Sequence, residues 1–277
     1  MTLLSLVILA LIQGVTEWLP ISSSAHLALF PALTGQADQG PLIDAMAHLG
    51  TLFAALVYFR TDVGRAILGG LELVRLRRPA GPALANEGLS KDAKLALFIL
   101  IATPPGVIAG AVYALSDWSD ALRNPMVIAW ATIVFGALLW AADALGKQIR
   151  TEGEMTVKDA ALIGLSQACA FVPGVSRSGV TMTAARALGF SRTEAARFAM
   201  LLGMPLLAAV GVYAFLELAQ NPPAPGALRD GVLVAGLSFM AALVAIWGLM
   251  RWLSKMSFLP FVIYRFALGA ALLIWVA

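Results

Sequence analysis

Charged residues are scarce in this sequence: Asp, Glu, Lys and Arg make up 13% of the 277 residues, against about 25% in a soluble domain. The single cysteine, Cys169, excludes a disulfide framework and a thiol-based metal site. A basic segment is missing from the first residues, so we expect no removable signal peptide. The net charge of +3 is small. The basic residues do not form a face interleaved with aromatics, so the sequence gives no indication of nucleic-acid binding.

Apolar residues dominate instead, at 60% of the chain, and several apolar runs approach the roughly 20 residues that a membrane-spanning helix needs. We therefore predict an all-α, polytopic integral membrane protein that forms one domain over residues 1–277. Six transmembrane helices are expected, together with two re-entrant helical hairpins. The predicted spans are 42–58, 95–115, 126–145, 191–218, 232–249 and 259–276.

The two hairpins are predicted where short apolar runs flank a polar turn. Residues 3–33 contain the turn 13–26, and residues 160–188 contain the turn 173–181. Each apolar run is too short to span on its own, and irregular backbone at membrane depth is tolerated only where protein covers it. A hairpin that returns to its own side satisfies both conditions.

The distribution of basic residues tests this topology. Lys and Arg cluster at 60–94, 147–158, 186–197 and 251–265, and they are absent from 1–41. Because cytoplasmic loops carry the excess of positive residues, six spans and two returning hairpins place every rich segment inside. Segment 60–94 is accordingly predicted to be a cytoplasmic loop.

An internal repeat is suggested by two pairs of similar segments. Residues 20–25 resemble 173–179, and residues 49–55 resemble 202–209, at an offset of 153 to 154. The halves, roughly 1–145 and 158–277, would have opposite orientations, as in transporters with inverted repeats. Chance similarity between small apolar residues is the alternative. If the hairpin tips meet, they bring one polar group together: Glu17, Ser23, His26 and Arg177.

Arg177 is the strongest candidate for binding a ligand, because a guanidinium among apolar residues needs an anion or a carboxylate. It could bind phosphate or form an ion pair with Glu17. Glycines let a backbone approach a ligand, whereas hydroxyl side chains donate to phosphate or cap helices. The candidate substrate-binding residues around Arg177 and in the first turn are Gly174, Ser176, Ser178, Gly179, Thr181, Gln13 and Ser22.

Gln13 and Glu17 are four residues apart and share a helix face. Glu17 is either a metal ligand, a partner of Arg177 or His26, or a solvated carboxylate at headgroup level; Gln13 is a second candidate ligand. One carboxylate and one carboxamide make a weak site unless lipid phosphates complete it. His26, close to Ser23, is a candidate general acid, general base or nucleophile, or an interior histidine. For His48 we expect a structural or supporting role.

The motifs Gln13-x-x-x-Glu17, Pro20–His26 and Pro173–Gly179 together resemble the bacterial undecaprenyl-diphosphate phosphatase family, also called the bacitracin-resistance family. The resemblance covers nearly the whole chain. It implies an inner-membrane hydrolase, with its active site toward the outer face, that converts undecaprenyl diphosphate to undecaprenyl phosphate and inorganic phosphate with a divalent cation, Mg²⁺ or Ca²⁺. This reaction recycles the lipid carrier for peptidoglycan, and the family is linked to resistance to the antibiotic bacitracin.

Matched motif by motif, the resemblance implies that Glu17, Ser23, His26 and Arg177 are catalytic. Many family members have glutamate where this chain has Gln13, which weakens any scheme with two anionic metal ligands. The attacking atom is left open between Ser23, His26 and a water molecule. The inverted repeat also fits a transporter or flippase of a polyprenyl phosphate or small anion, and small residues in the last spans fit a homodimer.

Overall fold

The computed structural model describes residues 2–36, 38–76, 88–116, 121–220 and 225–276. Within these residues the chain is all-α, with eleven α-helices and two short 3₁₀ segments, Glu152–Glu154 and Gln167–Phe171. The helices are α1 (Leu3–Thr16), α2 (Ser23–Thr34), α3 (Gly40–Tyr58), α4 (Arg60–Leu76), α5 (Lys91–Ala114), α6 (Pro125–Leu145), α7 (Val157–Ser166), α8 (Arg177–Ala187), α9 (Arg192–Gln220), α10 (Ala227–Leu253) and α11 (Leu259–Val276).

Six of these helices are long and apolar enough to cross a membrane: α3, α5, α6, α9, α10 and α11. They coincide with the six predicted spans, so that prediction is confirmed. Large apolar side chains such as Leu100, Phe215 and Val244 cover their outer surfaces, as expected of helices whose solvent is lipid. The chain is therefore a multi-pass membrane protein.

The prediction of a loop over 60–94 is wrong for its first half, because Arg60–Leu76 forms helix α4. This helix packs on α5, and Gly69 makes the approach possible: a Cβ atom there would lie 1.9 Å from the carbonyl oxygen of Asp92. Arg65 of α4 also donates to Asp92 at 2.8 Å and to Glu152 at 2.9 Å. An amphipathic basic helix has the composition of a polar loop, which explains the error. Residues 77–87 of the predicted loop lie outside the described residues.

Two arginines that were counted among the basic segments are fully buried inside helices. Arg186 in α8 and Arg265 in α11 are both 0% exposed. Arg186 donates to Asp143 at 3.0 Å. Its charge is therefore compensated inside the protein and does not report which side of the membrane it faces. The topology prediction therefore depends on the other basic residues, such as Lys91 and Lys147 near the ends of α5 and α6.

Four short helices form two helix–turn–helix units. The turn 17–22 joins α1 to α2, and 3₁₀ segment 167–171 and turn 172–176 join α7 to α8. These helices contain 10 to 14 residues, and at about 1.5 Å per residue they are shorter than the roughly 30 Å of a bilayer core. Their lengths agree with re-entrant hairpins, whose course in a membrane stays a prediction, as does the inverted relation of the halves.

The two turns lie in the interior of the helix bundle. Trp18 of the first turn is fully buried in the main apolar core, with Phe98 of α5, Leu139 of α6 and Phe258 just before α11. The indole N–H of Trp18 donates to the carbonyl oxygen of Thr51 in α3 at 3.1 Å. Long helices thus surround both turns and fix their positions.

Candidate functional site

The two turns end in the same local structure. Ser22 has φ 70° and ψ 91°, and Ser176 has φ 71° and ψ 115°; these are the positive-φ residues other than glycine among the described residues. Each serine caps the following helix, because its Oγ accepts from the backbone N–H of Ala25 or of Gly179. A positive φ is unfavourable for serine and often marks a functional turn. The two turns therefore have matching geometry at the offset seen in the sequence.

Direct hydrogen bonds hold the two turns against each other. The N–H of Gly174 donates to Ser22 Oγ at 3.1 Å, and Ser178 Oγ donates to the carbonyl oxygen of Leu19 at 2.9 Å. Gly174 has φ 100°, and a Cβ atom there would lie 2.6 Å from the carbonyl oxygen of Ile128. Only glycine fits this position, and because it has no side chain the second turn can approach the first closely enough for these hydrogen bonds to form.

An ion pair joins the turns at the centre of the site. Arg177 Nη2 donates to Glu17 Oε1 at 2.7 Å, and both side chains are nearly buried, at 12% and 6% exposed. The guanidinium also lies 5.0 Å from the ring centroid of Trp18. A buried guanidinium is stable there because a carboxylate and an aromatic face compensate its charge.

Glu17 gathers further polar groups around its second oxygen. Ser23 Oγ donates to Glu17 Oε2 at 2.6 Å, and Gln13 Nε2 donates to the same atom at 2.9 Å. His48 Nε2 lies 3.7 Å from it. The arrangement places a serine hydroxyl, a carboxylate and an imidazole within one contact shell.

Arg177 retains an unused donor. Its Nη1 atom is buried beside Gly203 and has no hydrogen-bond partner among the described residues. Because burial without a hydrogen bond costs free energy, Nη1 would gain a partner if an added anion competed with Glu17 for the guanidinium.

A cavity of about 270 Å³ opens onto these groups. Its polar wall contains Glu17, Ser23, His48, Ser176 and Arg177. Apolar residues of α2 and α9 form another part of the wall, and Asp38, Gln39, Asp44 and Arg123 lie around it as well. The cavity thus joins an end that holds charged groups of both signs and hydroxyls to an apolar wall.

A family model described as bacitracin resistance protein BacA matches residues 6–271. The chain belongs to the BacA family. It is 53% identical to the undecaprenyl-diphosphatase of Hyphomonas neptunium, over 99% of this chain and 96% of that protein. It is 50% identical to the undecaprenyl-diphosphatase of Maricaulis maris and 45% identical to that of Ruegeria pomeroyi, over 98% or more of each chain.

Five of the predicted site residues line the cavity of this BacA-family chain: Glu17, Ser22, Ser23, Ser176 and Arg177. The others are not on its wall. Ser178 and Gly174 bind the first turn, as described above. Thr181 Oγ1 donates to the carbonyl oxygen of Arg177 at 2.8 Å, and Gly179 donates to Ser176. Their polar groups are used in building the turns, so direct substrate contact by them stays a prediction without support from the geometry.

Gln13 lies behind Glu17 and is fully buried. Its Nε2 faces Glu17, while its Oε1 is buried without a partner among the described residues. Gln13 therefore orients the carboxylate instead of facing the cavity. This contact gives the uncharged side chain at position 13 a role that needs no second carboxylate.

His26 lies about one helical turn after Ser23 on α2, and unlike Ser23 it is not on the cavity wall. Its Nδ1 bonds the carbonyl oxygen of Ser22 at 2.7 Å, and a carbonyl only accepts, so Nδ1 carries a proton. In the neutral ring, Nε2 then accepts from the hydroxyl of Tyr264 in α11, 2.5 Å away. Both ring nitrogens of His26 are thus engaged by groups other than Glu17 and Arg177, and a catalytic role for it stays a prediction.

His48 is the histidine on the cavity wall, a position that the sequence did not indicate. Its Nδ1 donates to the carbonyl oxygen of Asp44 at 2.7 Å, so in the neutral ring Nε2 carries a lone pair. Asp44 and His48 are four apart on α3 and both line the cavity. Two polar residues at this spacing on an apolar span are the signal that could have identified them.

The fit of a divalent cation can be tested on the donors that are present. Among the described residues, no group of three or more His, Cys, Asp or Glu side chains is arranged to hold a metal. Glu17 is the carboxylate of the ion pair, and its oxygens already accept from Arg177, Ser23 and Gln13. These residues alone do not form a cation site, and a bound cation would need most of its ligands from elsewhere.

Proposed function

We propose that this protein hydrolyses undecaprenyl diphosphate to undecaprenyl phosphate and inorganic phosphate, which recycles the lipid carrier for cell-wall synthesis. The observation that carries the proposal is the cavity that contains Arg177 beside the Ser23–Glu17 pair. A guanidinium binds phosphate oxygens in a bidentate manner. The names of the full-length relatives give the same activity.

Arg177 is proposed to bind the terminal phosphoryl group. Its unused Nη1 turns toward the phosphate, and Ser176, which lines the same cavity, supplies a second donor. Both groups stabilise the negative charge of the transferred phosphoryl group. Such stabilisation is the main contribution of the protein in phosphoryl-transfer enzymes.

Ser23 is the attacking group that the geometry favours, because its hydroxyl already donates to Glu17 at 2.6 Å on the cavity wall. In the first step Ser23 Oγ bonds to the terminal phosphorus, the bridging P–O bond breaks, and undecaprenyl phosphate leaves. Glu17 receives the proton of the hydroxyl.

In the second step a water molecule attacks the phosphoserine, and inorganic phosphate leaves as the serine hydroxyl forms again. Glu17 returns the proton that it received in the first step to the serine oxygen, and the protons of the water stay on the released phosphate. Attack by His26 is less favoured, because its ring bonds Ser22 and Tyr264 away from the cavity wall.

A divalent cation, Mg²⁺ or Ca²⁺, would be held mainly by the phosphates of the substrate, and Glu17 would be the protein group nearest to it in this proposal. Substrate phosphates commonly supply most of the ligands of Mg²⁺. When bound, the cation would supply additional neutralisation of phosphate charge.

The lipid tail is proposed to leave the cavity along its apolar wall, where Leu206, Leu207 and Val210 of α9 lie. The cavity opens beside residues 38–44 and Arg123. The helix ends in this region are joined by segments that are poor in Lys and Arg. Under the positive-inside rule these ends face outward. We therefore place the protein in the bacterial inner membrane with its site toward the outer face.

The activity is tested with purified protein in detergent, by measuring phosphate release from undecaprenyl diphosphate. We expect release by the wild type and a loss of about 100-fold or more in Arg177→Ala, since such anchors contribute that much to phosphoryl transfer. Arg229→Ala is the control, because Arg229 is exposed on α10. Full activity of Arg177→Ala would contradict the assignment.

The attacking group is tested by acid quenching during turnover and mass spectrometry of the peptide with Ser23. We expect a phosphoserine in the wild type and none in Ser23→Ala, with Ser254→Ala, an exposed serine after α10, as the control. Turnover by Ser23→Ala at the wild-type rate would exclude the serine and favour direct attack by water.

Transport without hydrolysis, the other expectation from the repeat, has no support from the relatives' names. Phosphate release in detergent, where no second compartment exists, separates the two functions.

A homodimer also stays a proposal. It is supported by an open face of α10, where no other described atom lies within 4 Å of the position that a Cβ atom on Gly236 or Gly248 would take. Light scattering of the detergent-solubilised protein tests it.

A further inference from the structure

Arg265 is a buried cation that neither the sequence motifs nor the proposed reaction uses. It lies in the apolar helix α11 and is 0% exposed. A charge in such a helix is costly and usually functional. Its contacts therefore indicate what the protein gains from it.

The guanidinium donates only to backbone carbonyl oxygens, and these come from three separate segments. Nη1 bonds Pro20 of the first turn and Val175 of the second turn, each at 3.0 Å. Nη2 bonds Gly174 of the second turn at 2.8 Å, and Nε bonds Thr132 of α6 at 3.1 Å. One side chain thus ties both turns to a spanning helix.

Arg265 differs from the other fully buried arginine in its counter-charge. Arg186 lies 3.0 Å from the carboxylate of Asp143. Arg265 has no carboxylate within 4.0 Å among the residues that the structure describes. Carbonyl dipoles alone compensate its charge, so the arrangement depends on the number and direction of its hydrogen bonds and not on an ion pair.

Two glycines provide the space for this side chain. A Cβ atom on Gly136 of α6 would lie 3.2 Å from Arg265 Cβ, and one on Gly179 would lie 3.3 Å from Arg265 Nη1. Gly179 belongs to the motif whose glycines the sequence assigned to phosphate binding. In the structure the space beside it is taken by the Ser176 side chain, 3.1 Å from the same Cβ position, and by the Arg265 guanidinium.

We propose that Arg265 is a positioning residue of the hydrolytic site, because its guanidinium binds carbonyl oxygens of both turns at once and fixes their separation. Glu17 and Arg177 belong to different turns, so the geometry of their pair depends on that separation. The inference rests on the proposed function for its catalytic consequence, whereas the tie between the turns is independent of it.

The first variants are Arg265→Lys and Arg265→Met. Lysine keeps the charge but is a point donor that cannot bridge the same carbonyls in a planar fork, and methionine removes both. We expect both variants to lose about 100-fold in kcat, the effect of a misplacement of roughly 1 Å at a catalytic centre. Arg186→Lys is the matched control, because it alters an equally buried arginine away from the two turns, and we expect it to stay near the wild-type kcat.

The second measurement reports geometry without activity. Cys169, exposed just before the second turn, and Leu33→Cys, at the exposed end of α2, are spin-labelled. Pulsed electron–electron double resonance should give one narrow distribution of the distance between the two spin labels, both in the labelled parent protein and in its Arg186→Lys variant. In Arg265→Lys the distribution should broaden or shift.

The outcomes separate the two proposals. No phosphate release by the wild type overturns the proposed function, while a broadened distance in Arg265→Lys still supports the tie between the turns. Wild-type kcat and an unchanged distance in folded Arg265→Lys overturn the positioning role. Activity in Arg265→Lys but not in Arg265→Met shows that charge alone matters, and also overturns it. If the Arg265 variants do not fold, Gly179→Ala, which crowds the same guanidinium, must broaden the distance or the inference fails.

Discussion

Arg177 and Glu17 lie 160 residues apart in the sequence and only 2.7 Å apart in the structure. Each belongs to a different helix–turn–helix unit, so this ion pair forms only when the two turns have docked. The pair is nearly buried, and removal of one partner from such a pair leaves an uncompensated charge. The contact is therefore both a structural joint and the place where an anion can compete with the carboxylate.

The first prediction concerns the loss of this counter-charge. Glu17→Gln should lower the stability of the protein by about 3 kcal/mol, because Arg177 is left buried beside a neutral amide. Inorganic phosphate should restore part of that stability by replacing the carboxylate, and it should stabilise the wild type less. Thermal unfolding in detergent with and without phosphate measures both effects. Equal stabilisation of the two proteins would show that phosphate does not reach Arg177.

The second prediction uses the close contact between Gly203 and Arg177. A Cβ atom on Gly203 would lie 1.8 Å from Arg177 Nη1, so Gly203→Ala must displace the guanidinium. We expect kcat/KM for the lipid diphosphate to fall at least about tenfold, equivalent to roughly 1.4 kcal/mol of transition-state stabilisation.

Gly211→Ala is its matched control, since it lies on the same helix with no atom within 4 Å of its Cβ position. Both substitutions gain about 1 kcal/mol of helix propensity, so their difference isolates the contact with Arg177. Equal kcat/KM in the two variants would contradict the role of Gly203 in seating the guanidinium.

The membrane spans were predictable because hydropathy and loop charge report solvent and topology directly. Helix α4 was not, because Arg60–Leu76 mixes basic and apolar residues and packs on α5 through one glycine. The meeting of Glu17 with Arg177 was predicted from two charges in apolar surroundings, each of which needs a partner.

The absence of His26 from the cavity wall was not predictable from the sequence, because the direction of its side chain depends on where α2 begins. Ser22 caps the helix, and Ser23 then faces the cavity while His26, three residues later, faces Tyr264. A rotation of α2 by about a sixth of a turn would exchange their surroundings, and hydropathy does not record a rotation that small. The carbonyl contacts of Arg265 are likewise invisible in sequence, since any backbone can supply them.

The third prediction tests how His26 acts. If its ring works only through Tyr264, His26→Ala and Tyr264→Phe should each lower kcat by about tenfold or less, and the double variant should be no worse than either single one, as for residues in one hydrogen-bond network. Initial rates of phosphate release give this double-mutant cycle. A far larger loss in His26→Ala, with Tyr264→Phe near the wild type, would instead make His26 the attacking or proton-transferring group.

The fourth prediction concerns the divalent cation. Because Glu17 already accepts three hydrogen bonds and the described residues hold no metal cluster, Mg²⁺ alone should leave the unfolding temperature unchanged. Mg²⁺ with farnesyl diphosphate should raise it more than farnesyl diphosphate does alone, since a ligand that binds only the folded state stabilises it. Arg177→Ala should lose the combined shift. A shift with Mg²⁺ alone that Glu17→Gln removes would show instead that the protein has its own cation site, and the cation would then precede the lipid.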